Sequence, residues 1–163
     1  MTPEQNAIIE RFQQSAPVDV TKLAEVLGLN VWEDDSLPEG ISGKLFKDPI
    51  KGGPEGYSIT VRASDAYVRK RFTVAHEIAH FILHRNLIGT SLTDDAFYRS
   101  DLSSWEEAEA NRFAADILMP RPLLGKYIKM YGSDPELLAE MLKVSQAAAR
   151  IRLGLPINTS APV

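Results

Sequence analysis

The spacing of apolar residues divides the chain into helical and extended segments. Residues 3–15 and 19–29 carry apolar side chains at the three- and four-residue intervals of an amphipathic helix, and Gly28 marks the end of the second. Three β-rich segments, interrupted by breakers that contain Pro and Gly, follow at residues 30–33, 40–46 and 57–63. This pattern predicts a helical N-terminal arm followed by a small, mostly antiparallel sheet of about three strands.

The second half of the chain has helical spacing. One helix is predicted at about 66–85 and another from near Ser104, which Pro120 and Pro122 bring to an end. Because the strands precede these helices, the pattern favours an α+β fold in which the sheet packs on the helix at 66–85. The predicted organisation is a helical arm (1–30), a core (31–120), helix-turn-helix-like C-terminal helices packed on the core (121–155) and a disordered tail (156–163).

Composition and charge limit the classes of function. With 163 residues, 44% of them hydrophobic, the chain is long enough to bury one core. Its 18 basic and 22 acidic residues give a net charge of −4, which provides no overall attraction for nucleic acid or an anionic membrane. The absence of cysteine excludes a disulfide framework and a thiolate zinc cluster. The first residues lack the apolar core of a signal peptide, so we expect a cytoplasmic protein with no membrane association.

All three histidines lie in one predicted helix, in the segment "FTVAHEIAHFILH". His76 and His80 are four residues apart, so they share a face at about 40° from each other and are spaced to bind one ion. Glu77 is turned off the line joining them, which suits a carboxylate that contacts a metal-bound water as general base. His84 has risen about 12 Å from His76 and is interpreted as a helix-end residue, with a hydrogen bond near the site as the alternative.

A third metal ligand is sought in the segment "SWEEAEANRFAADILMP". A catalytic zinc takes three protein ligands, and with cysteine absent and the histidines used the third must be a carboxylate. The periodicity of the apolar face favours Glu107 narrowly over Glu106, and the acidic residues Glu106 and Glu109 otherwise suit the first turn of an ordinary helix. Asn111, one turn after Glu107, is placed to accept a hydrogen bond from a ligating histidine.

The two segments "RFTVAHEIAHFILH" and "EAEANRFAADILMP" together resemble the ImmA/IrrE family of bacterial metallo-endopeptidases. The resemblance extends to "PVDVTKLAEVLGLNV" and "GISGKL", and so covers most of residues 17–120. It implies a minimal thermolysin-like zincin core in which His76, His80 and Glu107 bind zinc, or alternatively manganese, and Glu77 is the catalytic base. Asn111 stands where thermolysin-like enzymes have aspartate, so the histidines are expected to be less basic here.

The resemblance also implies a substrate class, namely a helix-turn-helix (XRE-type) transcriptional repressor in a mobile-element, stress-response or toxin–antitoxin setting. The chain is then a zinc-dependent endopeptidase that cleaves or inactivates this repressor. Candidate stabilisers of the transition state are Tyr57, Tyr98, Arg99 and His84. The strand at 57–63 is predicted to present an open edge to an extended peptide.

Two alternatives to catalysis stay open. In the first, the fold only binds a regulator, so that relief of repression or action as a toxin–antitoxin partner is stoichiometric. In the second, residues 134–153 bind DNA through two short helices around "KVSQ". The acidic Asp134, Glu136 and Glu140 stand beside only three basic residues there, a balance poorly suited to phosphate contacts, so direct DNA binding is the less favoured alternative.

Overall fold

The computed structural model describes residues 1–87 and 104–157. The described elements, in chain order, are α1 (Pro3–Phe12), α2 (Val20–Val26), β1 (Leu29–Asp34), β2 (Gly43–Lys47), β3 (Tyr57–Arg62), α3 (Tyr67–His84), a 3₁₀ turn (Arg85–Leu87), α4 (Ser104–Leu118), α5 (Arg121–Tyr131), α6 (Pro135–Leu142) and α7 (Gln146–Arg152). The predicted α+β class is confirmed. No helix in the described part of the chain is long and apolar enough to cross a membrane.

The three strands form one sheet in the order β1-β3-β2. β2 pairs with β3 antiparallel, whereas β1 pairs with β3 parallel, with Leu29 opposite Tyr57. The sheet is therefore small and mixed. The prediction that residues 57–63 offer an open edge is wrong, because β3 is hydrogen-bonded along both sides. Five of its six residues are buried, as expected for a strand covered on both faces.

The sheet packs directly on α3. At Gly43 of β2 a Cβ atom would lie 2.3 Å from Thr73 Cγ2 of α3, so the absence of a side chain lets strand and helix approach closely. The core is continuous across elements, and its fully buried members include Leu23, Ile59 and Ile117. α3 is thus enclosed between the sheet and the helices that follow it.

Side chains cap the first turns of the last two C-terminal helices. Asp134 accepts a hydrogen bond from the backbone N–H of Glu136 at the start of α6, and Ser145 accepts one from Ala148 at the start of α7. The C-terminal cap of α6, Lys143, has a positive φ of 52° and turns the chain between the two helices. The predicted disordered tail lies almost entirely outside the described residues, which end at 157.

Candidate metal centre

The α3 helix holds His76 and His80 side by side in the interior. The two residues are 4% and 2% exposed, and their Nε2 atoms lie 3.0 Å apart. Their rings meet edge to face, with centroids 4.6 Å apart. The four-residue spacing therefore brings the two ligand nitrogens to one point, as the helical repeat requires.

The α4 helix brings Glu107 to the same point. Its Oε2 lies 3.2 Å from His76 Nε2, and its Oε1 lies 3.1 Å from His80 Nε2. The ligand atoms of His76, His80 and Glu107 all lie within 4.8 Å of one another. Of the two carboxylates that periodicity left open, Glu107 rather than Glu106 is the member of this group.

The charge of Glu107 is set by its neighbours. Burial by itself raises the pKa of this carboxyl, but hydrogen bonds and favourable charge interactions with His76 and His80 outweigh burial and hold the pKa well below its usual range. Glu107 therefore faces the imidazoles as a carboxylate. A carboxylate oxygen can only accept hydrogen bonds. The buried group of His76, His80 and Glu107 therefore needs protons or a cation between its ligand atoms.

The donor set fits a divalent metal ion. Two imidazole nitrogens and one carboxylate are the protein ligands of a catalytic zinc site, which leaves a further position open for water or substrate. Manganese accepts the same atoms, although these ligands favour zinc in affinity. The residues present are therefore suited to a catalytic rather than a closed structural ion.

Glu77 lies beside the group without belonging to it. The residue is 3% exposed and follows His76 directly on α3. A buried carboxylate that directly follows the candidate ligand His76 on one helix is compatible with the general-base prediction. Its role as base stays a prediction.

His84 and Glu109 extend the group on the side away from Glu107. His84 Nδ1 lies 2.9 Å from His80 Nδ1, and His84 Nε2 lies 2.8 Å from Glu109 Oε1. His84 is 4% exposed. His84 is the last residue of α3, so the helix-end interpretation and the hydrogen-bonding alternative both describe its position. Glu109 was missed, because its distance from His84 depends on how α4 crosses α3; its place two residues after Glu107 was the one available signal.

The other predicted site residues are placed differently. Asn111 is exposed. Its hydrogen bond to a ligating histidine stays a prediction. Tyr57 is buried in the core, with its ring edge to face with Phe81 at 5.3 Å and the Arg85 guanidinium carbon 5.5 Å from the ring centroid. Tyr98 and Arg99 lie outside the described residues.

Comparison with known proteins identifies similar sequences and a similar fold. Residues 24–154 match the IrrE N-terminal-like domain family. The chain is 34% identical over 147 residues to the radiation response metalloprotease IrrE of Deinococcus radiodurans, covering 86% of this chain and 45% of that protein. The radiation response metalloprotease IrrE of Deinococcus deserti is 31% identical over 111 residues, covering 68% of this chain and 40% of that protein. A solved structure of a Mycobacterium tuberculosis transcriptional regulator superposes with a TM-score of 0.62 at 18% identity, covering 95% of this chain and 47% of that one.

These matches agree with the motifs and with the geometry. The chain spans less than half the length of each of these three proteins. The likeness to the mycobacterial structure concerns the fold, whereas the family match covers both helices of the His-His-Glu group. The resemblance inferred from the two histidine and glutamate segments is confirmed. The chain therefore belongs to the IrrE N-terminal-like domain family.

Proposed function

We propose that this protein is a zinc-dependent endopeptidase of the cytoplasm, with manganese as the alternative metal. The observation that carries the proposal is the convergence of His76, His80 and Glu107 within 4.8 Å, beside the buried Glu77. The similarity to proteins named radiation response metalloproteases supports it. A structural ion alone would not require a buried general base beside its ligands.

Each residue of the site has its own role in peptide-bond hydrolysis. His76 Nε2, His80 Nε2 and a Glu107 carboxylate oxygen hold the ion, which when bound supplies the Lewis acidity for a water and for the scissile carbonyl. A Glu77 carboxylate oxygen accepts the proton of the attacking water and later delivers it to the nitrogen of the leaving peptide. Burial of the histidines keeps bulk water away from these charges and so strengthens their interactions.

The outer edge of β2 is a suitable binding position for an extended peptide substrate. Within residues 1–87 and 104–157, β2 pairs with β3 on one side and is an edge strand of the sheet. It also lies directly on α3, where Gly43 meets Thr73. A peptide that pairs with this edge gains backbone hydrogen bonds independent of its sequence, with side-chain pockets left to set specificity.

A helix-turn-helix repressor of the XRE type is the proposed substrate, in a mobile-element, stress-response or toxin–antitoxin setting. The family resemblance carries this step. Direct DNA binding through residues 134–153 is not favoured. Arg152, the basic residue at the end of α7, lies 2.8 Å from Asp116 and donates to the Met119 carbonyl, so it is already engaged within the protein.

Replacing Glu77 by Gln tests catalysis without disturbing the ligands. We expect Glu77→Gln to retain near-stoichiometric metal by plasma mass spectrometry and to lose cleavage of the repressor encoded nearest to its gene, by at least about 100-fold. Glu140→Gln, an exposed glutamate of α6, is the control and should cleave as the wild type does. Cleavage that persists in Glu77→Gln at the wild-type rate would remove Glu77 from the mechanism.

The same variant separates catalysis from the stoichiometric alternative. A regulator that acts by binding alone should relieve repression equally well with glutamine at position 77. A metal-free wild type that cannot be reloaded with zinc or manganese would likewise favour the binding module over the enzyme. Loss of relief together with retained repressor binding would support hydrolysis.

A further inference from the structure

A line of three side chains runs from the surface of α4 to the metal-facing side of α3. Glu109 Oε1 lies 2.8 Å from His84 Nε2, and His84 Nδ1 lies 2.9 Å from His80 Nδ1. We propose that His84 and Glu109 are positioning residues that fix the ring of His80 and present its Nε2 as a metal ligand. This inference rests on the proposed metal site.

The polarity of the line follows from the donor and acceptor capacities of its members. A carboxylate can only accept, so Glu109 requires that His84 carry its proton on Nε2. The Nδ1 of a neutral His84 is then an acceptor, and His80 must donate to it from Nδ1–H. When an ion is bound, the remaining nitrogen, His80 Nε2, would present its lone pair to that ion, at the position that faces Glu107 Oε1, 3.1 Å away.

The opposite polarity is incompatible with metal binding at this nitrogen. If His84 carried a proton on Nδ1, His80 Nδ1 would have to accept it, and a neutral His80 ring would carry its own proton on Nε2. The ligand atom would then be blocked. Glu109 favours the arrangement in which His80 Nε2 can bind metal, because its carboxylate accepts a hydrogen bond from a proton on His84 Nε2.

The line also restricts the rotation of the ring. His80 and His84 are 2% and 4% exposed, and the hydrogen bond to Glu109 joins α3 to α4 beside the link through Glu107. A ligand histidine whose second nitrogen is held by a neighbour loses less freedom on binding an ion. Removing such a partner typically weakens metal affinity by about 10–100-fold.

Zinc affinity of three variants tests the inference. His84→Leu and Glu109→Ala are expected to raise the Kd for Zn²⁺, measured by competition with a fluorescent chelator, by about 10–100-fold. His84→Asn keeps an acceptor oxygen near the position of Nδ1 and is expected to restore most of the affinity lost in His84→Leu. Glu140→Ala, which removes an exposed carboxylate from another helix, is the matched control and should bind zinc as the wild type does.

A tautomer measurement on the wild type needs no substitution and so does not depend on whether the variants fold. In the zinc-loaded protein at neutral pH, long-range ¹H–¹⁵N spectra should show His84 protonated on Nε2 alone and His80 protonated on Nδ1. His84 protonated on Nδ1, or on both nitrogens, would overturn the inference.

The outcomes distinguish the positioning role from the metal site itself. A wild type that binds neither zinc nor manganese would overturn both this inference and the proposed function. A wild type that binds zinc, together with His84→Leu and Glu109→Ala variants that fold and bind it equally tightly, would overturn the positioning role alone. Weaker binding in both variants with recovery in His84→Asn supports it, since a purely packing role would not distinguish asparagine by its acceptor oxygen.

Discussion

At the scale of the residue, Arg71 joins three parts of the chain in the interior. Its guanidinium donates to the carbonyls of Val18 at 2.7 Å, Lys143 at 3.0 Å and Leu142 at 3.3 Å. Burial lowers the pKa of Arg71, and its interactions with Tyr67 and others offset part of that effect. The Arg71 side chain therefore connects α3 to the N-terminal arm and to the turn between α6 and α7.

Arg71→Met should destabilise the fold strongly. The substitution retains much of the apolar stem but leaves buried carbonyls without their donor, and we expect the free energy of unfolding to fall by about 2–4 kcal/mol in urea titrations. Arg69→Met is the matched control, because Arg69 lies on the same helix with a side chain 62% exposed. A loss for Arg71→Met no larger than that for Arg69→Met would contradict this account of Arg71.

Asp48 provides a pH-dependent contribution to stability. Its Oδ1 accepts from the backbone N–H of Lys51 at 2.9 Å, and its Oδ2 accepts from the hydroxyl of Ser58 at 2.8 Å. Although desolvation by itself raises the pKa of Asp48, these hydrogen bonds outweigh it and lower the pKa in the folded state. The stabilising contribution is therefore complete above the pKa of an unfolded aspartate, about 3.9, and is lost as the pH falls through the lower folded value.

Asp48→Asn should therefore cost stability at neutral pH and progressively less in acid. Urea unfolding of wild type and variant between about pH 7 and pH 3 measures the difference, which is expected to narrow below about pH 4. Glu39→Gln, at an exposed position, serves as the control. A difference that stays constant through this range would mean that ionisation of Asp48 does not contribute.

At the scale of the element, sequence reasoning succeeded wherever the signal was local. The two short helices expected within residues 134–153 are present, capped by Asp134 and Ser145, and a cap requires only the side chain and the next two or three backbone N–H groups. The spacing of His76 and His80 similarly depends on a single helix. These features need no knowledge of how distant segments meet.

The arrangement between elements was harder to predict. The sheet is mixed because β1 pairs in parallel with β3, although β2 comes between them in the sequence. Nothing in the composition of residues 29–34 specifies the direction of that pairing. Periodicity alone favours Glu107 only narrowly and predicts an ordinary first-turn role for Glu109. Both contacts depend on the crossing of α3 and α4, which periodicity on one helix does not determine.

The approach of β2 to α3 predicts opposite effects for two glycine substitutions. In Gly43→Ala the added Cβ would lie 2.3 Å from Thr73 Cγ2 and 3.0 Å from the Thr60 carbonyl oxygen, so strand and helix must separate. We expect this change to lower the free energy of unfolding by about 1–3 kcal/mol. In Gly125→Ala, within α5, the Cβ meets no atom within 4 Å, so a gain of about 0.5–1 kcal/mol from helix propensity is expected.

Parallel chemical denaturation of these two variants provides the measurement. The contrast in sign matters more than either value, because both substitutions add the same methyl group. If Gly43→Ala were as stable as the wild type, the sheet and α3 would not be in the close contact described for them.

At the scale of the whole molecule, the proposed metal site joins the two long helices α3 and α4. His76 and His80 lie on α3, and Glu107 lies on α4, so an ion held by all three restrains one helix against the other. Such a restraint exists only in the folded chain, because the unfolded chain does not hold the three ligands together. Metal binding and folding stability should therefore be linked.

Zinc is expected to raise the melting temperature through this link. At a free concentration of about 100 times its Kd, an ion that binds only the native state raises the free energy of unfolding by about 2.7 kcal/mol. For a chain of this length that corresponds to an increase in Tm of about 5–10 °C, measurable by calorimetry on the chelator-treated and reloaded protein. Glu77→Gln should show the same increase, because its ligands are intact, whereas Glu107→Ala should show little. An equal increase in Glu107→Ala would mean that zinc stabilises the protein from a site other than the one between α3 and α4.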